Sequence, residues 1–489
     1  MLFCITFAAT TFKHYKPIAI MKKTICLIGA FCAMLSVAAQ NNADVWKQCE
    51  AIVENIETPS FCDKVYNILD FGAKAGWQGE EQLCHDAINL AITTCSTHGG
   101  GTVMVPAGVY YCGPITMKSN VNLHLEKDAE LKFVFDLHLY TPTVLTRWEG
   151  VDCYNLHPLI YAYGESNFAI TGEGTIDAQG SNETWWPMCG DSKRYGWKEG
   201  MTSQRNGGRA KLLAYAETFA PIDKRQMTID DGLRPQMVNF VRCNEVLLEG
   251  VTLRNSPFWC IHPLFCENLT VRDVKVINHG PNGDGCDPES CKNVLIENCL
   301  FETGDDCIAI KSGRNADGRK WNIPSENIVV RNCTMKDGHG GVVIGSEIAG
   351  GFRNLFVENC RMDSPNLERV IRIKTNNCRG GVIENIYVRN VEVGECREAV
   401  LKINLVYESR EQCDRSFPPF VRNVFLDNVT SQKSRYGVLI TGYDDRYNVE
   451  NIHVSNCIFN NVEKDPGVSV VGAKDVHYDN LKINGKKVK

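Results

Sequence analysis

A short phrase that recurs seven times constrains the fold of this chain more than any other feature. Each copy reads Asn, an aliphatic residue, any residue, a second aliphatic residue, any residue, Asn or Asp, and then Cys or Val, with some looseness at the ends. The copies begin at Asn268, Asn293, Asn327, Asn354, Asn385, Asn423 and Asn451. Successive copies begin 25 to 38 residues apart. Repeats with this spacing are supersecondary units that bury their apolar face only by stacking on neighbours.

Within the phrase, aliphatic residues alternate with polar ones, most clearly from Ile452 to Ser455, so each copy predicts a short β-strand. Leucine-rich and helical solenoids need good helix formers between the strands, whereas this region is rich in Gly, Asn, Val and Ile. The pattern therefore predicts an all-β, right-handed, single-stranded parallel β-helix. The recurring Asn tolerates a left-handed backbone at a sharp turn and can stack its amide on the next coil.

Two segments depart from the repeat. Residues 79–94 predict one amphipathic helix that caps the open end of the solenoid, ahead of a first strand at Thr102–Pro106. The apolar positions at helical spacing are Leu83, Ala87, Ile88, Ala91 and Ile92. Between about Asn182 and Arg234 the periodicity disappears, which predicts an inserted loop or lid. This insert contains Trp185 and Trp186, for which sugar stacking and core packing are both open.

The N-terminus is typical of an export signal. A basic start at Met21–Lys23 precedes an apolar run that ends at Ala38-Ala39, too short to span a bilayer. We expect residues 1–20 to be an over-extended start, residues 21–39 to be a signal peptide, and residues 40–489 to form one catalytic domain. The expected location is secreted or periplasmic, with no membrane partner.

Charge and cysteine content narrow the function classes. The 489-residue chain has a formal charge of -6, and residues 1–39 carry four lysines and no acid, which leaves -10 for the mature part. This balance argues against a nucleic-acid partner. The mature part retains 20 of the 23 cysteines, an even number that ordinarily suggests disulfides. The four that follow an Asn in the repeat are instead predicted to be buried thiols: Cys299, Cys333, Cys360 and Cys457.

Several motifs occur in a fixed order along the coils. They are Asp70-Phe71-Gly72-Ala73, Gly99-Gly100-Gly101-Thr102, Asn282-Gly283-Asp284, Gly304-Asp305-Asp306, Gly338-His339-Gly340 and Arg372-Ile373-Lys374. Together they resemble the polygalacturonase family of glycoside hydrolases, family 28, from about Asn67 to the C-terminal coils. The chain departs from that family at Gly283, where threonine is commonest, and we expect this to alter packing more than chemistry.

The residues themselves point to the same chemistry. Four successive coils each deliver a polar group, and stacked coils lie about 4.8 Å apart, so these groups form one strip. Glycosidases need one protonated carboxyl group to donate to the leaving oxygen and one carboxylate on the other side. Three clustered aspartates would also push their pKa values apart by mutual repulsion.

The resemblance implies roles for these residues. Asp305 is similar to the general acid of the family, Asp284 and Asp306 to the pair that positions and activates water, and His339 to the histidine that supports the acid. Asn282 is a candidate substrate-binding residue by its place in the motif Asn282-Gly283-Asp284. The implied reaction is hydrolysis with inversion, with no cofactor and no metal.

Arg372 and Lys374 form the local basic cluster that an acidic chain needs to bind a polyanion. They are two residues apart in a predicted strand, so they share the outer face while Ile371 and Ile373 point inward. Arg can hold a carboxylate bidentately and Lys adds a point charge, which suits galacturonate carboxylates next to the cleaved bond. The expected partner is therefore a pectic polysaccharide or oligogalacturonide.

Alternatives stay open at the level of the sequence. Within the hydrolases, rhamnogalacturonan and xylogalacturonan backbones are possible substrates besides polygalacturonate. A pectate lyase and a non-catalytic carbohydrate-binding solenoid are less favoured, because neither needs the carboxylate trio beside Gly338-His339-Gly340. The insert at about 182–234 and a second polar segment at 313–324 would close one side of a cleft, which favours exo-acting cleavage from the non-reducing end.

Overall fold

The structure is a computed structural model that describes residues 42–77, 79, 82–443 and 447–489. The chain divides into two compact units, residues 1–51 and 52–489. The expected start at 1–20 and signal peptide at 21–39 lie outside the described residues. Over the described ranges, no helix combines the length and the apolar character needed to cross a bilayer.

Four α-helices and 36 strands make up the regular structure of the described residues. The helices are α1 (Asn42–Glu54), α2 (His85–Thr97), α3 (Gly208–Glu217) and α4 (Asn315–Trp321). The strands are β1 (Val65–Asn67), β2 (Gly101–Val105), β3 (Gly108–Cys112), β4 (Ile115–Thr116), β5 (Val121–Leu125), β6 (Ala129–Phe133), β7 (Val144–Trp148), β8 (Val151–Asn155), β9 (Ile160–Tyr163), β10 (Ser166–Gly172), β11 (Thr175–Asp177), β12 (Val238–Val241), β13 (Asn244–Glu249), β14 (Thr252–Arg254), β15 (Ile261–Leu264), β16 (Glu267–Arg272), β17 (Lys275–Asn278), β18 (Lys292–Glu297), β19 (Leu300–Thr303), β20 (Ile308–Ile310), β21 (Ser325–Arg331), β22 (Thr334–Asp337), β23 (Val342–Gly345), β24 (Phe352–Glu358), β25 (Arg361–Met362), β26 (Arg369–Lys374), β27 (Val382–Glu395), β28 (Ala399–Asn404), β29 (Phe420–Lys433), β30 (Tyr436–Thr441), β31 (Val449–Ser455), β32 (Ile458–Phe459), β33 (Val468–Val471), β34 (Ala473–Asp479), β35 (Lys482–Ile483) and β36 (Lys486–Lys487).

The strands stack into three parallel faces, which confirms the predicted parallel β-helix. One face runs from β10 through β13, β16, β18, β21 and β24 to β27, and a second from β11 through β14, β17 and β19 to β22. The third face contains β4, β9, β12 and β15, then β20, β23, β26, β28, β30 and β33. Cys286 and Glu289 bridge its two halves, pairing with β15 on one side and with the β20 coil on the other. We call this third face the floor, because it carries the candidate site.

The recurring asparagines form the predicted ladder. Each of Asn268, Asn293, Asn327, Asn354, Asn385, Asn423 and Asn451 has φ between 54° and 65°, in the left-handed region. Each donates its side-chain amide to the side-chain oxygen of the Asn one coil earlier, over 2.7 to 3.4 Å. The ladder satisfies polar groups at a turn where aliphatic neighbours are buried.

The cysteines that follow the repeat asparagines are buried and unpaired, as predicted: Cys299, Cys333, Cys360 and Cys457. The sequence did not indicate which cysteines would pair. The structure contains a disulfide between Cys378 and Cys413, two residues separated by 35 positions. It ties the segment after β28 to the segment after β26.

The N-terminal cap differs from prediction in its boundaries. Helix α2 begins at His85 and not near Gly79, because the Cys84 amide instead pairs with the Tyr111 carbonyl of β3. Its buried residues Ile88 and Ile92 belong to the main core, as expected of a cap. Strand β2 begins at Gly101, and it is not the first strand of the stack, since β1 pairs with it.

The segment at 182–234 is more ordered than the predicted loop, since it contains α3 and several short 3₁₀ turns. Its apolar residues pack against an antiparallel hairpin, β7–β8, that the sequence analysis did not predict. The result is a second apolar cluster beside the main core. Its buried members are Trp148, Val151, Cys153, Leu212, Ala216, Met227, Leu233, Phe258 and Trp259.

Candidate active site

The predicted aspartates come together at one edge of the floor, in the turns that lead into its strands. The Asp284 carbonyl accepts from Cys260 of the previous coil, and the Asp306 carbonyl accepts from Gly285. The Asp305 carbonyl in turn accepts from the amide of His339, one coil later. These backbone bonds fix the turns relative to one another, so that four residues from three coils share one site.

The three carboxyl groups are close and largely shielded from water. Asp284, Asp305 and Asp306 each offer an oxygen atom within 4.8 Å of the other two. Asp284 is 3% exposed and Asp306 is fully buried, whereas Asp305 is half-buried. Such a set could also hold a divalent cation. The expectation of no metal stays a prediction.

Gly283, the departure from the family pattern, is required by the local packing. A Cβ atom at this position would lie 2.5 Å from the carbonyl oxygens of Asn278 and Gly280. No side chain fits there without moving the backbone that leads to Asp284. The expectation that this position affects packing is therefore consistent with the structure.

Asp305 is held by its neighbours in the next coil. Its Oδ1 atom lies 3.0 Å from Nδ1 of His339 and also accepts from the Asp306 amide. Burial alone would raise the pKa of Asp305, but the hydrogen bond and charge of His339, with the charges of Lys374 and Lys311, hold it below its usual value. These contacts therefore favour the ionised form of Asp305.

The pKa of Asp284 shifts in the opposite direction to that of Asp305. Burial raises its pKa well above the usual value, and the charges of Asp305 and Asp287 add to that effect, while Lys311 opposes it. The surroundings thus shift the pKa values of two of the three aspartates in opposite directions, upward for Asp284 and downward for Asp305. The role of Asp305 as the acid stays a prediction.

Arg372 and Lys374 share the outer face of β26 and both contact Asp306. Arg372 Nη1 lies 3.3 Å from Asp306 Oδ1, and Lys374 Nζ lies 2.6 Å from Oδ2. Each is only 7% exposed. Tyr407 covers both cations, with its ring centre 5.5 Å from each. Both lie on the outer face of the strand, as the alternation predicts, and both contact Asp306. A contact with substrate stays a prediction.

Asn282 lies in the same loop as Asp284 but already has a partner. Its side-chain oxygen accepts from Arg234 at 2.7 Å. The buried Arg234 guanidinium also donates to the carbonyls of Pro257 and Pro281 and to Gln204 of the insert. Asn282 therefore links the catalytic loop to the insert, and any contact with substrate would be made through its amide nitrogen.

The hairpin β7–β8 covers the floor on the N-terminal side of Asp284. Thr146 donates to Asn239 of β12, and Arg147 forms an ion pair with Glu289 at 3.0 Å. At the hairpin tip, Glu149 pairs with Arg209 of the insert at 2.7 Å and with Arg314 at 3.4 Å.

The sequence analysis left two interpretations of Trp185 and Trp186 open, and the structure supports core packing. Trp185 is fully buried and donates to the Ala178 carbonyl. Trp186 donates to the Ser256 carbonyl and packs against Gly280. Trp185 thus leaves no exposed face for a sugar, and the half-buried Trp186 packs against the main core.

Sequence reasoning missed Lys311, which lies in the centre of the site. Its ammonium group is 3.3 Å from Glu347, 3.5 Å from Asp287 and 4.0 Å from Asp284. A signal was present, since Ile308 and Ile310 face the core and Lys311 continues the outward face of that strand. It occupies the register position of Gly345, which in turn pairs with Lys374.

The chain matches the model of "Glycosyl hydrolases family 28" over residues 224–456. It is similar to a crystal structure of a hyperthermoactive exopolygalacturonase from Thermotoga maritima, at 40% identity and a TM-score of 0.84, covering 91% of this chain and 97% of the other.

Two sequence relatives are more distant. A Vitis vinifera protein named "Probable polygalacturonase" is 28% identical over 70% of this chain, which spans only 63% of that relative's length. An exo-poly-alpha-D-galacturonosidase from Dickeya chrysanthemi is 27% identical over 86% of this chain and 70% of its own length. With the fold, the aspartate trio and these matches in agreement, the chain belongs to glycosyl hydrolase family 28 and is a glycosidase.

Proposed function

We propose that this glycosidase hydrolyses the α-1,4-galacturonosyl bonds of polygalacturonate. The observation that supports the proposal is that three aspartates lie together with Arg372 and Lys374 on the floor. Carboxyl groups beside two cations suit acid and base chemistry on a sugar that carries a carboxylate. Names of the similar proteins support the same substrate class. The test is release of reducing ends from polygalacturonate, with an Asp305→Asn protein as the inactive control.

A comparison of substrates tests which pectic backbone the enzyme prefers. Polygalacturonate, rhamnogalacturonan and xylogalacturonan are digested side by side, and the products are identified by mass. We expect the fastest hydrolysis on polygalacturonate. Faster release from either branched or alternating backbone would reassign the substrate within the family. Unsaturated products that absorb in the ultraviolet, lost on addition of a chelator, would indicate a lyase.

We further propose that the reaction inverts the anomeric carbon. The close spacing of the carboxyl oxygens is nearer to the ~5 Å of retaining pairs than to the wider inverting spacing. Retention, however, needs a carboxylate oxygen that can bond to the sugar. Both oxygens of Asp306 are engaged by Arg372 and Lys374, and Asp284 is buried. Attack by water fits this arrangement better. Proton NMR of the first product distinguishes the α from the β anomer.

We propose exo-acting cleavage because one side of the floor is covered. The hairpin β7–β8 lies over β12, and the insert helix α3 packs on that hairpin. Arg225 of the insert also forms a buried ion pair with Asp317 of α4, and Asn315 of α4 donates to Glu217. The three segments support one another, which suits a fixed barrier to a longer chain.

A time course of digestion tests this mode. We expect early galacturonate or a short product from the non-reducing end and slow loss of viscosity. A rapid fall in viscosity with a ladder of mixed oligomers would show that the substrate passes the hairpin. A substrate labelled at its reducing end adds a second measurement, because label should stay with the shrinking polymer.

Export of the protein remains a proposal that rests on the sequence at residues 21–39. Expression of the full chain in a bacterial host, followed by N-terminal sequencing of the protein outside the cytoplasm, tests it. We expect the mature chain to begin at Gln40. An uncleaved N-terminus would contradict the signal-peptide interpretation.

A further inference from the structure

Lys311 is a buried cation surrounded by acids. Its side chain is 3% exposed, and its ammonium group lies over the Trp259 ring at 4.3 Å from the centre. Asp284 and Asp287 approach from the turn of the preceding coil, and Glu347 approaches from the segment after β23. Burying a single ammonium group among three carboxyl groups is costly unless the charges compensate one another.

Asp287 shows how much the site depends on this cation. It is fully buried, and neither of its carboxyl oxygens accepts a hydrogen bond from any described residue. Its closest opposite charge is Lys311, at 3.5 Å. Asp287 is therefore a second acid next to Asp284, and the two compete for one counter-charge.

The charges that face Asp284 come from every neighbouring coil. Asp305 and Asp306 lie on the next coil and Asp287 in its own turn, and all three make ionisation of Asp284 harder. Arg372 and Lys374 are committed to Asp306, as their contacts show. Lys311 is the cation that acts on Asp284 directly.

The groups that face Lys311 are also set by the fold. Glu347 bridges Lys311 at 3.3 Å and Arg314 at 3.3 Å, and Arg379 and Lys374 add positive charge near it. On the preceding coil, Glu289 is paired with Arg147 and His262, so it does not draw Lys311 away. Lys311 is thus held between Glu347, in the segment after β23, and the turn of the preceding coil that contains Asp284 and Asp287.

We propose that Lys311 is a positioning residue whose charge allows Asp284 to lose its proton within the buried site. The inference rests on the proposed hydrolysis, in which Asp284 helps to activate water. Lys311 is too buried to contact the substrate, so its effect should appear in turnover and its pH dependence and much less in KM.

The first test compares kcat against pH for the wild type and Lys311→Met, a change of similar length without charge. Removal of the cation raises the pKa of Asp284 further, so the acidic limb should move up by about one to three pH units, the range for a nearby opposite charge. The deficit in kcat should shrink as the pH rises. A deficit equal at every pH would indicate a structural role and overturn the proposal.

A second variant should move the acidic limb of the kcat–pH profile in the opposite direction. Glu347→Gln removes an acid that competes for Lys311, so the acidic limb should move to lower pH. Lys433→Met, which removes an exposed partner of Glu395, serves as the control and should leave the limb unchanged. An acidic limb that moves upward, or not at all, in Glu347→Gln would contradict the proposed charge coupling.

The last test needs no substrate. Infrared titration of the carboxyl band identifies the Asp284 proton as the component missing in Asp284→Asn. That component should titrate at higher pH in Lys311→Met than in the wild type. If it does so while the wild type hydrolyses no polygalacturonate, the assigned function fails and the coupling stands. If the wild type is active but neither band nor limb moves, the role of Lys311 fails alone.

Discussion

His339 Nδ1 lies 3.0 Å from Asp305 Oδ1, so the imidazole of one coil holds the candidate acid of the coil before it. The hydrogen bond and charge of His339 hold the pKa of Asp305 down. His339→Ala removes both, so the pKa of Asp305 rises. We therefore expect the alkaline limb of kcat to move to higher pH, because Asp305 then keeps its proton to a higher pH.

His339→Gln is the matched variant, since its amide can keep a hydrogen bond to Asp305 without carrying a proton. We expect the alkaline limb to move in the same direction as in His339→Ala but by less, since the hydrogen bond remains and only the charge is lost. The variant should fold as stably as the wild type. A wild-type profile in both variants would exclude His339 from the proton path.

Asp284→Asn, Asp305→Asn and Asp306→Asn should each lower kcat by at least about a hundredfold, the low end for a positioned acid or base. Their effects on stability should differ. Circular dichroism and thermal unfolding of each variant separate loss of chemistry from loss of fold. Near-normal turnover in a folded variant would remove that residue from the mechanism.

The stability of Asp284→Asn has a predictable sign. The Asp284 pKa is raised in the folded state, so its contribution to stability is fully present below the pKa of an unfolded aspartate and is lost as the pH rises through the folded value. At neutral pH the variant should therefore be at least as stable as the wild type. Asp306→Asn should be less stable, because it leaves Arg372 and Lys374 buried without their acid.

Lys374→Ala should affect both binding and stability. It leaves the fully buried Asp306 with Arg372 alone, and breaking a buried pair costs about 3 kcal/mol. We expect a lower melting temperature than in the wild type. We also expect KM to increase more for free-acid polygalacturonate than for a methyl-esterified polymer. An equal change in KM for both polymers would argue against a contact with the substrate carboxylate.

The ladder predicts that backbone and side chain contribute separately at Asn354. Its φ of 65° strains a non-glycine residue, and its amide bonds to the coils on both sides. Asn354→Ala should cost about 3 kcal/mol in the free energy of unfolding, from a left-handed backbone and two lost hydrogen bonds. Asn354→Gly keeps the favourable backbone and should cost less. Equal losses in urea unfolding would show that the strain does not contribute.

The Cys378–Cys413 disulfide should stabilise the segment that carries Glu408 and Glu411, which pair with Arg314 and Arg379. A closed loop of this size is worth about 4 kcal/mol against the unfolded chain. The double variant Cys378→Ser with Cys413→Ser should unfold at lower temperature. Reductant should lower the melting temperature of the wild type and leave the variant unchanged.

The fold could be predicted from the sequence because its cause is local and repeated. One alternating phrase with an Asn at its start specifies a strand and a turn, and stacking follows from the exposed edges of each coil. The aspartates were found for the same reason, since short motifs occupy equivalent positions in successive coils. The alternation also placed Ile371 and Ile373 inward.

Features that depend on long-range pairing were not predictable. Arg147 pairs with the nearby Asp152, but its second partner, Glu289, is 142 residues away in the chain and could not be paired with it from the sequence. The hairpin β7–β8 lacks the repeat pattern because its two strands pair antiparallel with each other and its apolar residues pack on α3 and on Phe258 and Trp259. The burial of Arg372 and Lys374 follows from Asp306 and Tyr407, which come from other coils.

The asparagine ladder has a consequence for how such a chain can change. Successive rungs are 25, 34, 27, 31, 38 and 28 residues apart, yet every rung keeps its hydrogen bond. Much of the added length lies in segments beside the floor, as α4 does in the coil of 34 and the segment at 405–419 does in the coil of 38. Insertions and deletions there leave the register intact. Natural or designed sequence changes can therefore alter the segments beside the floor one coil at a time, while the stacked asparagines stay in place.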